Sequence, residues 1–273
     1  MSQEQNVESI IAHAFNARAA DDLQFTEVSI GDRKFVEAVA RGVAILEAFG
    51  GRAGALSNAD LHDITGFSKP AITRLTHTLV MLRYLRRVDG GRFELSPKIA
   101  ALARPFHEAT ANRLPTDALT ELAASGPWCI VVAEPHIDEL IVTASFRGSA
   151  PGTPNCAVGT NLDLAMTAGG QAFRATLGTN ARHRALLTTD DSSHSLELFA
   201  RARAELADRG YCMERGQWRR DIMTLAIPLR AEGQAPARIV MCIAPDRRGM
   251  RERLIREVVP KLRAALPCGA PSL

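Results

Sequence analysis

Aromatic residues make up only 5% of this 273-residue chain, so any core it builds must rest on the aliphatic majority of its 46% apolar residues. No apolar run approaches the ~18 residues that would span a bilayer. The N-terminus lacks the basic-then-apolar order of a secretory signal. A cytoplasmic protein without a membrane partner is the expectation. The five cysteines (Cys129, Cys156, Cys212, Cys242, Cys268) are odd in number, widely scattered and free of any C-x-x-C pair. That fits free thiols in a reducing compartment better than a disulfide framework or a structural zinc site. Signatures of catalysis are missing as well: there is no phosphate-cradling G-x-x-x-x-G-K-[ST], no G-x-G-x-x-G after a strand, no G-x-S-x-G and no H-E-x-x-H. Asp190, Asp191 and His194 cluster, as do His136 and Asp138, but both groups lie in turn-like polar segments where capping and solvation account for them. No enzyme activity, cofactor or metal is expected.

The chain is long enough for two domains of ordinary size. Its net charge of +3 is small, but the charge is unevenly placed. Residues 1–30 carry five acids against one base, whereas residues 69–98 carry seven bases against the two acids Asp89 and Glu94. A basic block behind an acidic lead points to a local anionic partner, although such a block can equally be a solvated face. Within the lead, Val7, Ile10, Ile11, Ala14 and Phe15 follow helical spacing. A second helix is predicted over 34–49, with Val36, Val39, Val43, Leu46 and Phe49 on one side and Gly50-Gly51 at its end.

Ser57-Asn58-Ala59-Asp60 has the form of a capping box. It opens a short helix with Leu61 and Ile64 inward and Gly66 as its stop. Ser68 can cap the next helix, which tolerates Pro70 in its first turn and runs to about Tyr84. Two helices joined by a short Gly-containing turn make a helix-turn-helix pattern, which also occurs in helical proteins that never touch DNA. In the second helix Ile72, Leu75, Leu79 and Leu82 share one arc. Pro70, Thr73, Arg74 and His77 share the other, with Lys69 at its edge. Directly afterwards, Arg86–Leu95 reads as two short strands around an Asp-Gly turn. A basic hairpin behind such a helix is a wing, with Arg87 and Arg92 flanking its tip. Cap, turn, helix, hairpin and charge together favour duplex DNA as a partner. The candidate DNA-contacting residues are Ser57, Ser68, Lys69, Pro70, Thr73, Arg74, His77, Arg87 and Arg92.

At these positions the chain resembles the IclR family of bacterial transcription regulators. The resemblance is carried by Ala40–Leu46, Leu56-Ser57, Gly66–Leu75, Thr78-Leu79, Tyr84-Leu85 and Gly91–Ser96. It continues through Val158–Thr160, Thr167–Phe173, Arg209–Tyr211 and Leu225–Leu229. Within that family the chain is most similar to the branch regulating aromatic-acid catabolism. The resemblance implies a winged helix-turn-helix, a connecting helix, a GAF-like second domain, a homodimer or homotetramer, operator DNA and a small organic acid. Two departures stand out: the leader exceeds what the family requires, and 146–157 is unusually rich in Pro and Gly.

The expected organisation is an extension (1–30), a winged helix-turn-helix (31–98), a linker helix (99–112) and an effector-binding and oligomerisation domain (113–273). In the last, strands are predicted at Trp128–Ala133, Leu140–Ser145, Met223–Pro228 and Arg238–Ala244. Helices are predicted at Gly169–Leu177, Leu196–Arg209 and Met250–Ala265. That mixture reads as α+β with an antiparallel sheet flanked by helices. Thr167-Ala168-Gly169-Gly170 precedes a helix, so small residues there could admit an anion such as a carboxylate to the backbone N–H groups; close helix–sheet packing would use the same glycines. The family resemblance places effector contacts on Ala168, Gly169, Glu214, Thr224, Met241 and Ile243, so the candidate set is these with Thr167 and Gly170. Met241 and Ile243 alternate on one strand. In a glyoxylate-sensing member of that family hydroxyls stand at these two places; thioether and hydrocarbon here favour a more apolar, aromatic or branched, carboxylic acid. Ordinary core filling would look the same. The function expected is thus a sequence-specific DNA-binding regulator controlled by a small carboxylic acid, and the alternative is a DNA-binding protein whose second domain only oligomerises.

Overall fold

The computed structural model describes residues 34–50, 54–136, 139–177, 193–229 and 238–266. The expected leader helix, Asp138, Asp190, Asp191, the side chain of His194, and Cys268 lie outside the described residues. The chain divides into two compact units between Phe106 and His107.

In the first unit α1 (Glu37–Glu47), α2 (Asn58–Thr65) and α3 (Lys69–Met81) pack around Ile45, Phe49, Leu61, Phe67, Ile72 and Leu79. Each such fully buried aliphatic or aromatic side chain contributes about 1.5–3 kcal/mol. A two-stranded antiparallel hairpin follows, β1 (Leu85–Val88) with β2 (Arg92–Leu95), and Leu56 adds a backbone bridge to Phe93. The predicted tip is present: Asp89–Gly91 turns the chain, with Gly90 and Gly91 at φ 73° and 70°, a left-handed conformation that glycine adopts without a Cβ penalty. The apolar stripe of α1 divides. Ile45 and Phe49 face the core, while Val36, Val39 and Val43 remain 59%, 63% and 46% exposed.

The helix α4 (Lys98–Ala111) crosses the boundary between the units, and Pro105 inside it removes the N–H that would bond Ala101. The second unit is built on one six-stranded antiparallel sheet in the order β5-β4-β3-β8-β7-β6. Its strands are β3 (Cys129–His136), β4 (Glu139–Arg147), β5 (Asn161–Asp163), β6 (Cys212–Arg215), β7 (Ile222–Leu229) and β8 (Arg238–Pro245). Alternation along the strands supplies two cores. Ile130, Val132, Leu225, Val240 and Cys242 face α5 (Thr116–Ala124) and the C-terminal helix. Val131, Ala226, Met241 and Ile243 face α6 (Ala168–Thr176) and α7 (Ser193–Arg209). The fold is therefore α+β.

Two expectations are corrected, and two strands are additional: the short β5 and β6 have no alternating pattern long enough to read. The C-terminal helix is not uniform: α8 (Met250–Arg253) and α9 (Val259–Ala265) are joined by a π-helical turn at Leu254–Val258, just before Pro260, which has no N–H to donate. And α3 ends at Met81 rather than Tyr84, because Arg83 adopts a left-handed conformation at φ 62°.

Candidate functional site

The helix-turn-helix is locked by side chains as well as by its core. The Ser57 hydroxyl accepts from Asp60 N–H at 3.2 Å, and Asp60 Oδ2 accepts from Ser57 N–H at 2.8 Å, which completes the capping box. Gly66 ends α2 at φ 68°. His62 Nδ1 lies 2.7 Å from Phe67 O, across the turn. Asn58 joins the two helices, donating to Thr73 Oγ1 at 3.4 Å and accepting from Thr76 Oγ1 at 3.5 Å. The inner face of α3 is therefore Ile72, Thr76 and Leu79, not the expected arc through Leu82, which is 51% exposed beyond the helix end.

The outer face carries Lys69, Pro70, Thr73, Arg74 and His77, all exposed. Ser68 is the N-cap residue and is exposed, but its side chain makes no cap hydrogen bond, contrary to expectation. Thr73 Oγ1 donates to Lys69 O at 2.9 Å, which leaves acceptor capacity on the surface. Of the two wing arginines, Arg87 stands over the Phe93 ring at 5.8 Å. Arg92 turns back and donates to Ala55 O at 3.1 Å, so it braces the wing against the segment before α2. Ser57 is committed to its cap. The groups facing outward are those of α3 and Arg87.

In the second unit the structure gathers the candidate effector residues on one sheet face. Glu214, Thr224 and Ile243 are register neighbours across β6, β7 and β8, and Met241 is opposite Ala226. Helix α6 lies over them. Thr224 Oγ1 donates to Glu214 Oε2 at 3.0 Å and accepts from Ala168 N–H at 3.3 Å. Glu214 is buried, which pushes its carboxyl above the ordinary carboxylate range; hydrogen bonds from Gln217 N–H, the Thr224 hydroxyl and the Trp218 backbone oppose that rise. The N-terminus of α6 is largely satisfied from within. Gly170 N–H donates to Thr167 Oγ1 at 3.0 Å, and Ala168 N–H goes to Thr224. The space in front of Gly169 is filled as well: a Cβ there would lie 2.2 Å from Met241 Sδ and 3.1 Å from Leu140 Cδ1. The expectation of backbone donors standing open to an anion is thus corrected at Ala168 and Gly170. Two polar neighbours escaped the sequence reading. Gln171, buried on α6, donates to Gln217 Oε1 at 3.1 Å beside Glu214; nothing local marks a glutamine as a site residue.

Burial raises the thiols of Cys156 to about 11 and Cys212 to about 12, and pushes Cys242 well above its ordinary value. These are packing groups, not nucleophiles. Among the described residues no three His, Cys, Asp or Glu side chains are grouped to hold a metal ion, and no helix is long and apolar enough to cross a membrane.

A winged helix-turn-helix unit with a cationic outer face, followed by an antiparallel sheet covered by helices, defines a two-unit DNA-binding transcription regulator. The sequence comparison agrees: residues 38–89 match the IclR helix-turn-helix domain, and the chain as a whole resembles IclR family transcriptional regulators. It is similar to an IclR family transcriptional regulator from Brucella abortus, with 27% identity, 86% of this chain and 91% of that one covered, and a TM-score of 0.68. It is 23% identical to the Pca operon regulatory protein of Acinetobacter baylyi over 84% of this chain and 86% of that protein. An IclR homolog from Microbacterium hydrocarbonoxydans, solved as a complex with 4-hydroxybenzoate, shares the fold at a TM-score of 0.68 and 16% identity, with 84% and 98% of the two chains covered.

Proposed function

We propose that this regulator reads its operator through α3 and responds to an aromatic carboxylic acid held under α6. The observation that carries the DNA reading is the division of α3. Ile72, Thr76 and Leu79 are buried while Thr73, Arg74 and His77 are exposed on the opposite side. A helix so divided can lie in a major groove, with Lys69, Pro70 and Ser68 at its entering end and Arg87 on an adjacent phosphate. Two copies would set two such helices on a near-palindromic site. The exposed stripe Val36, Val39 and Val43 supports self-association through α1, since an apolar patch of this kind is costly in a lone protomer. A cytoplasmic setting accords with this role.

The effector reading rests on Thr167, Ala168, Gly169, Gly170, Glu214, Thr224, Met241 and Ile243 lying in one neighbourhood. The apolar pair Met241 and Ile243 suits an aromatic ring better than a small polar acid. A regulator named for the Pca operon and a homolog complexed with 4-hydroxybenzoate point the same way. Met241 now occupies the approach to Gly169, so the ligand enters by displacing a flexible thioether. Binding would bias the two DNA-binding heads by a coupling of ~1–3 kcal/mol.

The test measures operator-duplex affinity by fluorescence anisotropy with and without 4-hydroxybenzoate and an aliphatic acid, together with the thermal shift each produces. Stabilisation by the aromatic acid with a matching change in operator affinity is expected. Operator binding with no stabilisation by any acid would favour the alternative, in which the second unit only oligomerises.

A further inference from the structure

We infer that the effector meets Glu214 through a hydrogen-bond donor on its ring, so it is a hydroxy- or amino-substituted aromatic acid whose carboxylate points away from Glu214. The inference rests on the effector reading of the second unit and adds the ligand's orientation and a narrower chemical class. It follows from the donors and acceptors around that carboxyl. The donors that α6 and β7 bring to the cluster are spent within it. Thr224 O–H goes to Glu214 Oε2 at 3.0 Å, Ala168 N–H to Thr224 Oγ1 at 3.3 Å and Gly170 N–H to Thr167 Oγ1 at 3.0 Å. The Thr167 hydroxyl in turn donates to Asp163 O at 2.7 Å. The Gln171 amide donates to Ala165 O at 3.3 Å and to Gln217 Oε1 at 3.1 Å. Met241 occupies the approach to Gly169.

Acceptors are what remain. A carboxylate offers about four lone-pair sites, and Glu214 fills three of them, with Gln217 N–H, the Trp218 backbone and the Thr224 hydroxyl. The loop that supplies two of these donors is turned by Gly216, at φ 71°, whose N–H returns to Ile222 O at 3.0 Å. Gln171 then ties Gln217 to α6. The buried carboxyl is thereby fixed in place with an acceptor site to spare. A second carboxylate brought there would meet like charge and no donor, which is a costly burial. A hydroxyl or amino group would meet an acceptor already oriented, and hydrogen bonds to a charged acceptor are the stronger kind. Ile243 is the register neighbour of Thr224 and shares its sheet face with Met241. A ring resting on that pair carries a substituent toward Glu214.

The experiment titrates the full chain by calorimetry with 3-hydroxybenzoate and 4-hydroxybenzoate, the fluorobenzoates of the same two patterns, 4-aminobenzoate and terephthalate, which carries a second carboxylate. At least one hydroxybenzoate should bind roughly 10-fold or more tightly than its fluoro analogue and than terephthalate. 4-Aminobenzoate should track 4-hydroxybenzoate rather than 4-fluorobenzoate. Glu214→Gln presents an amide that donates as well as accepts, so it should narrow the gap between the hydroxybenzoate and terephthalate roughly 3-fold or more. The wild-type series decides even where Glu214→Gln fails to fold. Equal affinities for hydroxy and fluoro acids, or terephthalate as tight as either, overturn the orientation while the effector reading stands. An unchanged preference in folded Glu214→Gln gives the hydroxyl another partner and overturns it as well. Should no aromatic acid bind, the effector reading itself fails and this inference with it.

Discussion

The Thr224 hydroxyl donates to the buried Glu214 carboxylate at 3.0 Å while its own oxygen accepts from Ala168 N–H at 3.3 Å. One threonine thus joins β6, β7 and the first residue of α6. Removing it leaves a buried acceptor and a buried backbone donor unsatisfied together, each costing about 1–3 kcal/mol. Thr224→Val is expected to destabilise the second unit by that order. A urea midpoint equal to wild type would separate the link from stability.

Glu214 makes the same neighbourhood sensitive to pH. Its carboxyl titrates above the ordinary 4.5 when folded, because burial disfavours the charge. The folded protein then holds that proton more tightly than the unfolded chain, so this group's contribution is greatest below 4.5 and declines as pH rises through the elevated pKa. Glu214→Gln removes the titration. Relative to wild type its Tm should climb as pH increases from 4.5 toward neutrality. A constant difference across that range would mean the hydrogen bonds from Gln217 and Thr224 fully offset the burial.

Gly169 and Met241 make opposite demands on the space under α6. Gly169→Ala places a methyl 2.2 Å from Met241 Sδ and should cost roughly 1–3 kcal/mol through overpacking. Met241→Ala clears the approach. It should weaken the unliganded protein by about 2–5 kcal/mol through the cavity it leaves, while enlarging the thermal shift given by an aromatic acid. Equal shifts in wild type and Met241→Ala would place the ligand elsewhere.

What could be read in advance was what is determined locally. Ser57 and Asp60 stand three residues apart in a form that only a helix start uses, Gly66 is a stop, and Asp89-Gly90 is a turn; the structure contains all three. The sheet strands around Val131, Ala226 and Met241 were legible because both faces are buried and leave continuous apolar runs. The errors arose where distant residues decide. A helical wheel placed Leu82 inward, because nothing in it foretells that Arg83 takes a glycine's conformation and stops the helix first. Val36, Val39 and Val43 shared a periodic stripe with Phe49, yet periodicity does not say which part of a stripe the rest of the unit covers. That Ala168 spends its N–H on Thr224, and that Met241 fills the approach to Gly169, depends on contacts across 56 residues and more of sequence.

Arg74 and Arg87 should fail in different ways. Arg74 is exposed on the outer face of α3, which the proposed docking sets against base edges, so Arg74→Ala should cost about 1–3 kcal/mol on the operator and little on random duplex. Arg87 is in the wing, stacked over Phe93. Arg87→Ala should lower affinity for all duplexes alike and reduce the salt slope by about one. Anisotropy titrations on both duplexes check the pair, and interchange of the two patterns would reverse the roles assigned to helix and wing.

Val39 offers the sharpest test of self-association, because it lies in the middle of the exposed stripe at 63% exposure and contributes nothing to its own unit's core. Val39→Asp should leave Tm at high dilution within about 0.5 kcal/mol of wild type, as an exposed substitution does. If α1 pairs two copies, a charge buried in that interface is costly, so sedimentation should shift toward the protomer at micromolar concentration. Operator affinity should fall with it, since two helices bound independently lose the gain of being joined. Unchanged sedimentation would assign pairing to another surface and leave the α1 stripe as exposed apolar area.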